Sequence, residues 1–167
     1  GVTVHRYGVR RTRSIREFAS YSDLVFSQKH DREDEDAWFR SNGPYSPALV
    51  QALVEAHDRF DLFLFYSFRY YHSYQGLPHV RDRALLVPTA EEDPAIGLSV
   101  VKELFALPRG IVYLTPEEQA LVEQATGCAA VPSVVIGSGL GIERRTVIAL
   151  GADRARSRGA CRPRRRA

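Results

Sequence analysis

The densest run of chemically competent side chains lies between Asp82 and Gly97, in the stretch DRALLVPTAEEDPAIG. A short apolar run, Ala84-Leu85-Leu86-Val87, stops at Pro88, and three consecutive acids, Glu91, Glu92 and Asp93, follow before Pro94. A carboxylate within hydrogen-bond reach of an alcohol can act as its general base, which makes Glu91 and Glu92 the candidate catalytic residues. Three carboxylates that converge raise one another's pKa. The plainer alternative is a solvated acidic helix N-terminus ahead of Ile96. Thr89 and Asp93 complete the polar side of this loop as candidate substrate-binding residues.

A second set follows the apolar run Leu62-Phe63-Leu64-Phe65: Ser67, Arg69, Tyr70 and His72 bring together a hydroxyl, a cation, a phenol and an imidazole. That combination suits contacts to a sugar or a phosphate. Against it stands the expectation that at least two of Tyr70, Tyr71 and Tyr74 simply pack as part of a crossover helix, and that His72 is a surface histidine. Ser138, in Gly137-Ser138-Gly139, is a further candidate contact. That triplet lacks the following helix and the Lys and Ser/Thr of a phosphate-binding P-loop, so a strand-end turn or hinge is the better reading. There is no GxGxxG after the first apolar run, no nucleophile elbow, no HExxH and no paired CxxC. No resident cofactor or metal is expected.

These residues need a scaffold that gathers them. Apolar runs begin at Leu62, Ala84, Ile111 and Val134, with helix-compatible segments between them at Phe68–Gly76, Leu98–Phe105 and Thr115–Thr126. Strand, crossover helix and strand at this spacing read as βαβ units of a parallel sheet, and continuous apolar runs fit strands buried on both faces. The fold class is α/β, Rossmann-like and three-layered, with a mainly parallel sheet. Ligands of such sheets bind outside the strands' carboxyl ends, where all the candidate residues fall. Thr115-Pro116-Glu117-Glu118 marks the clearest helix start, with an N-cap, Pro at N1 and a capping-box Glu, and Gly127 marks its end. Upstream, alternation over Val2–Tyr7 predicts a strand. Ile15, Phe18, Leu24 and Val25 predict a helix over Ser14–Ser27. DREDEDAWFR at 31–40 predicts an acidic helix anchored by Trp38 and Phe39, broken at Asn42-Gly43-Pro44, and Ser46-Pro47 opens another helix that runs to about His57.

The net charge of +3 averages two unlike regions. The chain holds 23 Lys+Arg against 20 Asp+Glu; residues 141–167 hold 9 against 2, leaving 14 against 18 in residues 1–140. The body is therefore at −4 and the tail at +7, and no basic face interleaved with aromatics marks the body for nucleic acid. The tail suits phosphate backbones or anionic lipid by charge alone, but its Ala, Arg, Gly and Pro composition equally fits a disordered or out-of-frame end. Cys128 and Cys161 carry no metal or redox spacing, and no apolar run reaches bilayer-spanning length, so a cytoplasmic setting is expected. With no methionine, Gly1 is expected to enter the middle of a domain.

Taken in order, Trp38 with Asn42-Gly43-Pro44-Tyr45-Ser46-Pro47, Asp61-Leu62-Phe63-Leu64-Phe65, Gly76-Leu77-Pro78, Leu86-Val87-Pro88-Thr89-Ala90 and Tyr113-Leu114-Thr115-Pro116-Glu117-Glu118 form a series. This series resembles the N-terminal, acceptor-side half of GT-B glycosyltransferases of the retaining, glycosyltransferase-4 type, from about residue 1 to Leu140. The resemblance implies two Rossmann-like domains facing a cleft, with metal-independent transfer of a sugar from a nucleotide-sugar to an alcohol or glycan acceptor. It also leaves room for peripheral contact with the inner face of a membrane. Many members carry a histidine where this chain has Glu91. The family's Gly-rich loop and donor-binding half have no counterpart in these 167 residues. The expectation is an incomplete N-terminal half, residues 1–140, inactive alone, followed by the Arg-rich tail, residues 141–167. In the family sheet a further strand separates Val2–Tyr7 from the strand at Leu62. The alternative is a non-catalytic Rossmann-like binding or scaffold module that presents its aromatic loop to a partner.

Overall fold

The four apolar runs form four parallel strands, β1 (Phe63–Tyr66), β2 (Ala84–Val87), β3 (Gly110–Tyr113) and β4 (Ser133–Val135), in the spatial order β1-β2-β3-β4. The computed structural model describes residues 1–137; Ser138 and the Arg-rich tail lie outside the described residues. Six α-helices accompany the sheet: α1 (Ile15–Ser27), α2 (Arg32–Asn42), α3 (Pro47–Ala56), α4 (Tyr71–Gly76), α5 (Ser99–Phe105) and α6 (Pro116–Thr126). The domain is α/β, with an all-parallel sheet flanked by helices, as expected for a Rossmann-like three-layer domain. No described helix is long and apolar enough to cross a membrane.

Local signals set most helix ends. Ser14, Ser46 and Thr115 accept hydrogen bonds from the backbone N–H groups of Glu17, Leu49 and Glu118, so each caps its helix, Ser46 and Thr115 where the sequence predicts. Asp31 caps α2 and closes a reciprocal box with Asp34. Gly127, with φ 72°, supplies the left-handed residue that ends α6.

Packing centres on one face of the sheet. Phe63, Phe65, Ala84, Leu86, Ile111 and Tyr113 point into a core completed by Trp38, Phe39, Leu77, Leu104 and Phe105. Trp38 is fully enclosed: Phe18, Phe26 and Phe39 surround its ring, and its indole N–H donates to Ser22 Oγ at 2.9 Å. That side chain ties α1 to α2.

The expectation of strands buried on both faces fails at the sheet's margins. Leu64 and Tyr66 of β1, Leu62 just before it, and Val134 and Ile136 at β4 are all more than half exposed. The residues that alternate away from the core along β1 and β4, Leu64, Tyr66 and Val134, carry this exposure. The opposite face is left open at the edge strands. Nor does Val2–Tyr7 form a strand. The segment is exposed without regular structure, and the first backbone pairing of the chain is the isolated bridge between Arg11 and Tyr45. Alternation alone does not make a strand; a partner edge is required. Ile15, read as an inward position of α1, is 83% exposed because it sits in the first turn, ahead of the residues that reach Trp38.

A buried carboxylate joins α2 to α5. Glu35 accepts from Ser99 N, Ser99 Oγ and Val100 N at 3.1, 2.7 and 2.9 Å, and from His30 Nε2 at 3.2 Å. Burial alone would raise this carboxyl, but the hydrogen bonds from Val100, Ser99 and His30 outweigh it and hold the group below its ordinary value of 4.5. Because the folded value lies under the unfolded one, the stabilisation is complete above the ordinary value. It is lost as pH falls through the lowered one. Urea unfolding at a series of pH values should show stability declining below pH 4.5, the ordinary value for Glu35, with that decline flattened in Glu35→Gln. An identical acid limb in both proteins would contradict this role.

Candidate functional site

The carboxyl edge of the sheet is built by three successive strand-end loops. After β1, Ser67 adopts a left-handed conformation with φ 69°, and after β2, Thr89 does the same with φ 50°. They are the only non-glycine residues with positive φ among the described residues. Such a conformation costs about 1–3 kcal/mol for an ordinary side chain and persists where surrounding contacts over-determine it, commonly at functional sites. Ser67 is held on both sides: its N–H donates to Val87 O at 2.8 Å, and its carbonyl accepts from Ser73 Oγ at 2.6 Å.

The loops are tied to one another by two acids. Asp93, in the β2 loop, pairs with Arg69 of the β1 loop and also caps the short 3-10 turn Pro94–Gly97, accepting from Ala95 N at 2.8 Å. Glu118, buried in the first turn of α6, accepts from Ala90 N of the β2 loop and from Leu114 N of the β3 loop, each at 2.7 Å. In a standard capping box the N3 side chain bonds the N-cap N–H. Here it reaches past the cap to a neighbouring strand end. The three adjacent acids therefore do not converge: Asp93 turns to Arg69, while Glu91 and Glu92 remain exposed.

Two hollows open along this edge. One, of about 300 Å³, is lined by Thr89, Ala90, Glu91, Leu114, Thr115 and Glu118. Glu91 stands at its wall with no side-chain hydrogen bond or ion pair among the described residues, so its carboxylate is available to an incoming hydroxyl. The other, of about 230 Å³, is lined by Arg13, Phe18, Asn42, Arg69 and Tyr70.

The candidate residues thus separate by role. Thr89 and Glu91 share a hollow, and Arg69 and Tyr70 share the other. Glu92 lines neither and is exposed. Tyr70 is partly exposed and stacks on His72, with ring centroids 5.8 Å apart. His72 Nε2 lies 3.3 Å from Tyr66 O, so that nitrogen carries the proton, and burial lowers the pKa of the ring. A neutral imidazole that spends its N–H on a backbone carbonyl is a packing residue, here in the first turn of α4 against the end of β1. Tyr71 and Tyr74 pack as expected, against Tyr45 and Phe39, although on helices and loops and not on the sheet. Ser138 lies outside the described residues. No group of three or more potential metal ligands occurs among the described residues.

Three residues here were not singled out as functional by their sequence context. Glu118 reads as a capping-box residue, Asn42 as part of a helix break, and Arg13 as a residue ahead of the helix predicted from Ser14. Their partners lie 28, 27 and 29 residues away, and no local pattern reports such distances.

Replacing Glu118 with Gln leaves one backbone N–H facing an amide N–H₂. An unsatisfied buried donor costs about 1–3 kcal/mol. Chemical denaturation should show a loss in that range for Glu118→Gln, and hydrogen exchange should accelerate at the Ala90 and Leu114 amides. Unchanged exchange at both would show that Glu118 does not tie the loops.

No protein-family model, curated protein or solved structure matches this chain, so the geometry of this edge and the ordered motifs carry the functional reading.

Proposed function

We propose that this chain is the acceptor-side part of a glycosyltransferase that moves a sugar from a nucleotide-sugar to an alcohol or glycan acceptor. The observation that carries the reading is the unpartnered Glu91 carboxylate at the wall of a hollow between the carboxyl ends of β2 and β3, where a parallel α/β sheet receives its ligands. The ordered series of motifs from Trp38 to Glu118 resembles the acceptor half of GT-B enzymes of the glycosyltransferase-4 type, and it supplies the reaction class. The fold agrees with that class but belongs to many others.

In this reading an acceptor hydroxyl enters the Thr89–Thr115 hollow. Glu91 accepts a hydrogen bond from it, orients its oxygen toward the donor and draws off the proton as the new glycosidic bond forms, the donor's sugar–phosphate bond breaks and the nucleotide leaves as its diphosphate anion. Thr89 and Thr115 offer hydroxyls to the rest of the acceptor, and the left-handed turn at Thr89 fixes the direction in which Glu91 leaves β2. Glu118 and Asp93 are spent on structure, which leaves Glu91 as the carboxylate of the hollow's wall free for chemistry. The nucleotide-sugar is a co-substrate, and no metal is called for.

Saturation-transfer NMR of the full chain with a panel of methyl glycosides and polyols, beside UDP- and GDP-sugars, tests this. At least one hydroxyl acceptor should bind, and Glu91→Ala should weaken it about tenfold, the loss expected for one hydrogen bond to a charged group. Acceptors that bind equally well to both proteins, or no acceptor binding at all, would overturn the assignment.

A further inference from the structure

A second anchor lies beside the acceptor hollow, at the start of α1. The guanidiniums of Arg13 and Arg69 line the same 230 Å³ hollow although Arg13 reaches it from the N-terminal loop and Arg69 from the end of β1. Asn42, buried at the end of α2, orients the Arg13 guanidinium and holds the Arg69 backbone. Its backbone carbonyl accepts from Arg13 Nε at 2.8 Å, its side-chain oxygen accepts from Arg13 Nη2, and its Nδ2 donates to Arg69 O at 2.6 Å. Aromatic faces set the planes of the two cations, with Arg13 4.7 Å over the Phe18 ring and Arg69 5.6 Å from that of Trp38.

The charges in this hollow do not balance. Arg69 is paired with Asp93, and the neighbouring Arg11 with Glu17, but Arg13 has no carboxylate within ion-pair distance among the described residues. Its partners are the two neutral oxygens of Asn42. Two guanidiniums against a single carboxylate leave a net positive charge at this hollow, which favours an anion there. Arg13 Nη1 and Arg69 Nη2 donate to no described residue, which leaves N–H groups of two rigid planar forks for a ligand. Tyr70 adds a phenol to the same wall.

We infer that Arg13, Arg69 and Tyr70 form an oxyanion subsite that binds a phosphate group, free or as the phosphate of a phosphorylated small molecule. The site holds a tetrahedral anion by paired N–H donors and needs no metal. Its proximity to the Glu91 hollow runs through one ion pair, since Arg69 belongs to this subsite and its partner Asp93 lies two residues after Glu91. The inference rests on the two guanidiniums and not on sugar transfer, so a Glu91→Ala chain should retain it in full.

Calorimetric titration of the full chain with inorganic phosphate, and separately with glucose 6-phosphate, provides the test. The Arg-rich tail is common to every variant, so differences among them report on the hollow. Saturable binding of at least one of the two is expected, weakened about tenfold or more in Arg13→Gln by loss of a charged donor pair. Arg13→Lys, which keeps the charge without the fork, should fall between them. Tighter binding of glucose 6-phosphate would assign the site to a phosphorylated small molecule, and equal binding would assign it to the phosphate group alone. If Arg13→Gln proves unfolded by circular dichroism, the Arg13→Lys comparison decides. Binding unchanged in the folded Arg13 variants, or absent from the parent chain, would overturn the proposal.

Discussion

Two carboxylates hold the working edge of this domain together. Asp93 and Glu118 each bind two strand-end loops, so the ends of β1, β2 and β3 form one connected strip: Arg69 to Asp93, Ala90 to Glu118, Glu118 to Leu114. Hydrogen bonds to a charged group are each worth about 1.5–3 kcal/mol, comparable with the cost of the left-handed turns at Ser67 and Thr89. The strain and the straps occur in the same loops. Glu118 supplies the one hydrogen bond among the described residues that holds Ala90 against the start of α6.

A division of labour follows among acids that look alike in sequence. Glu35 and Glu118 are buried and bonded to backbone N–H groups, Asp93 is neutralised by Arg69, and Glu92 faces water. Glu91 remains, close to the strap that fixes Ala90 but not consumed by it. Positioning by neighbours while the reactive group stays unbonded is the arrangement that general-base chemistry needs. The same economy applies to the arginines. Arg11 and Arg69 are paired, whereas Arg13 is oriented by neutral oxygens and has no carboxylate partner among the described residues.

Short-range rules made much of this legible in the sequence. The caps at Ser46 and Thr115, the stop at Gly127 and the apolar runs of the four strands each depend on residues within about one turn or one strand of each other, and they stand as read. What failed depends on partners. Val2–Tyr7 alternates like a strand, but no edge pairs with it. The run Leu62–Phe65 is continuous and apolar, yet only Phe63 and Phe65 are covered. Glu118 satisfies the capping pattern and bonds elsewhere, and the run Glu91-Glu92-Asp93 looks like one cluster until Arg69 removes a member. Residues joined across 24 to 28 positions leave no periodic trace in a single sequence.

The account's central claim is that ligands meet this domain at the strapped carboxyl edge. Residue-resolved amide hydrogen exchange of the full chain, with and without a saturating hydroxyl acceptor, tests it most directly. The account predicts added protection confined to Ser67–Tyr70, Thr89–Asp93 and Leu114–Thr115. Protection concentrated instead on the open apolar margin at Leu62, Leu64 and Val134, or at the opposite ends of the strands, would contradict it.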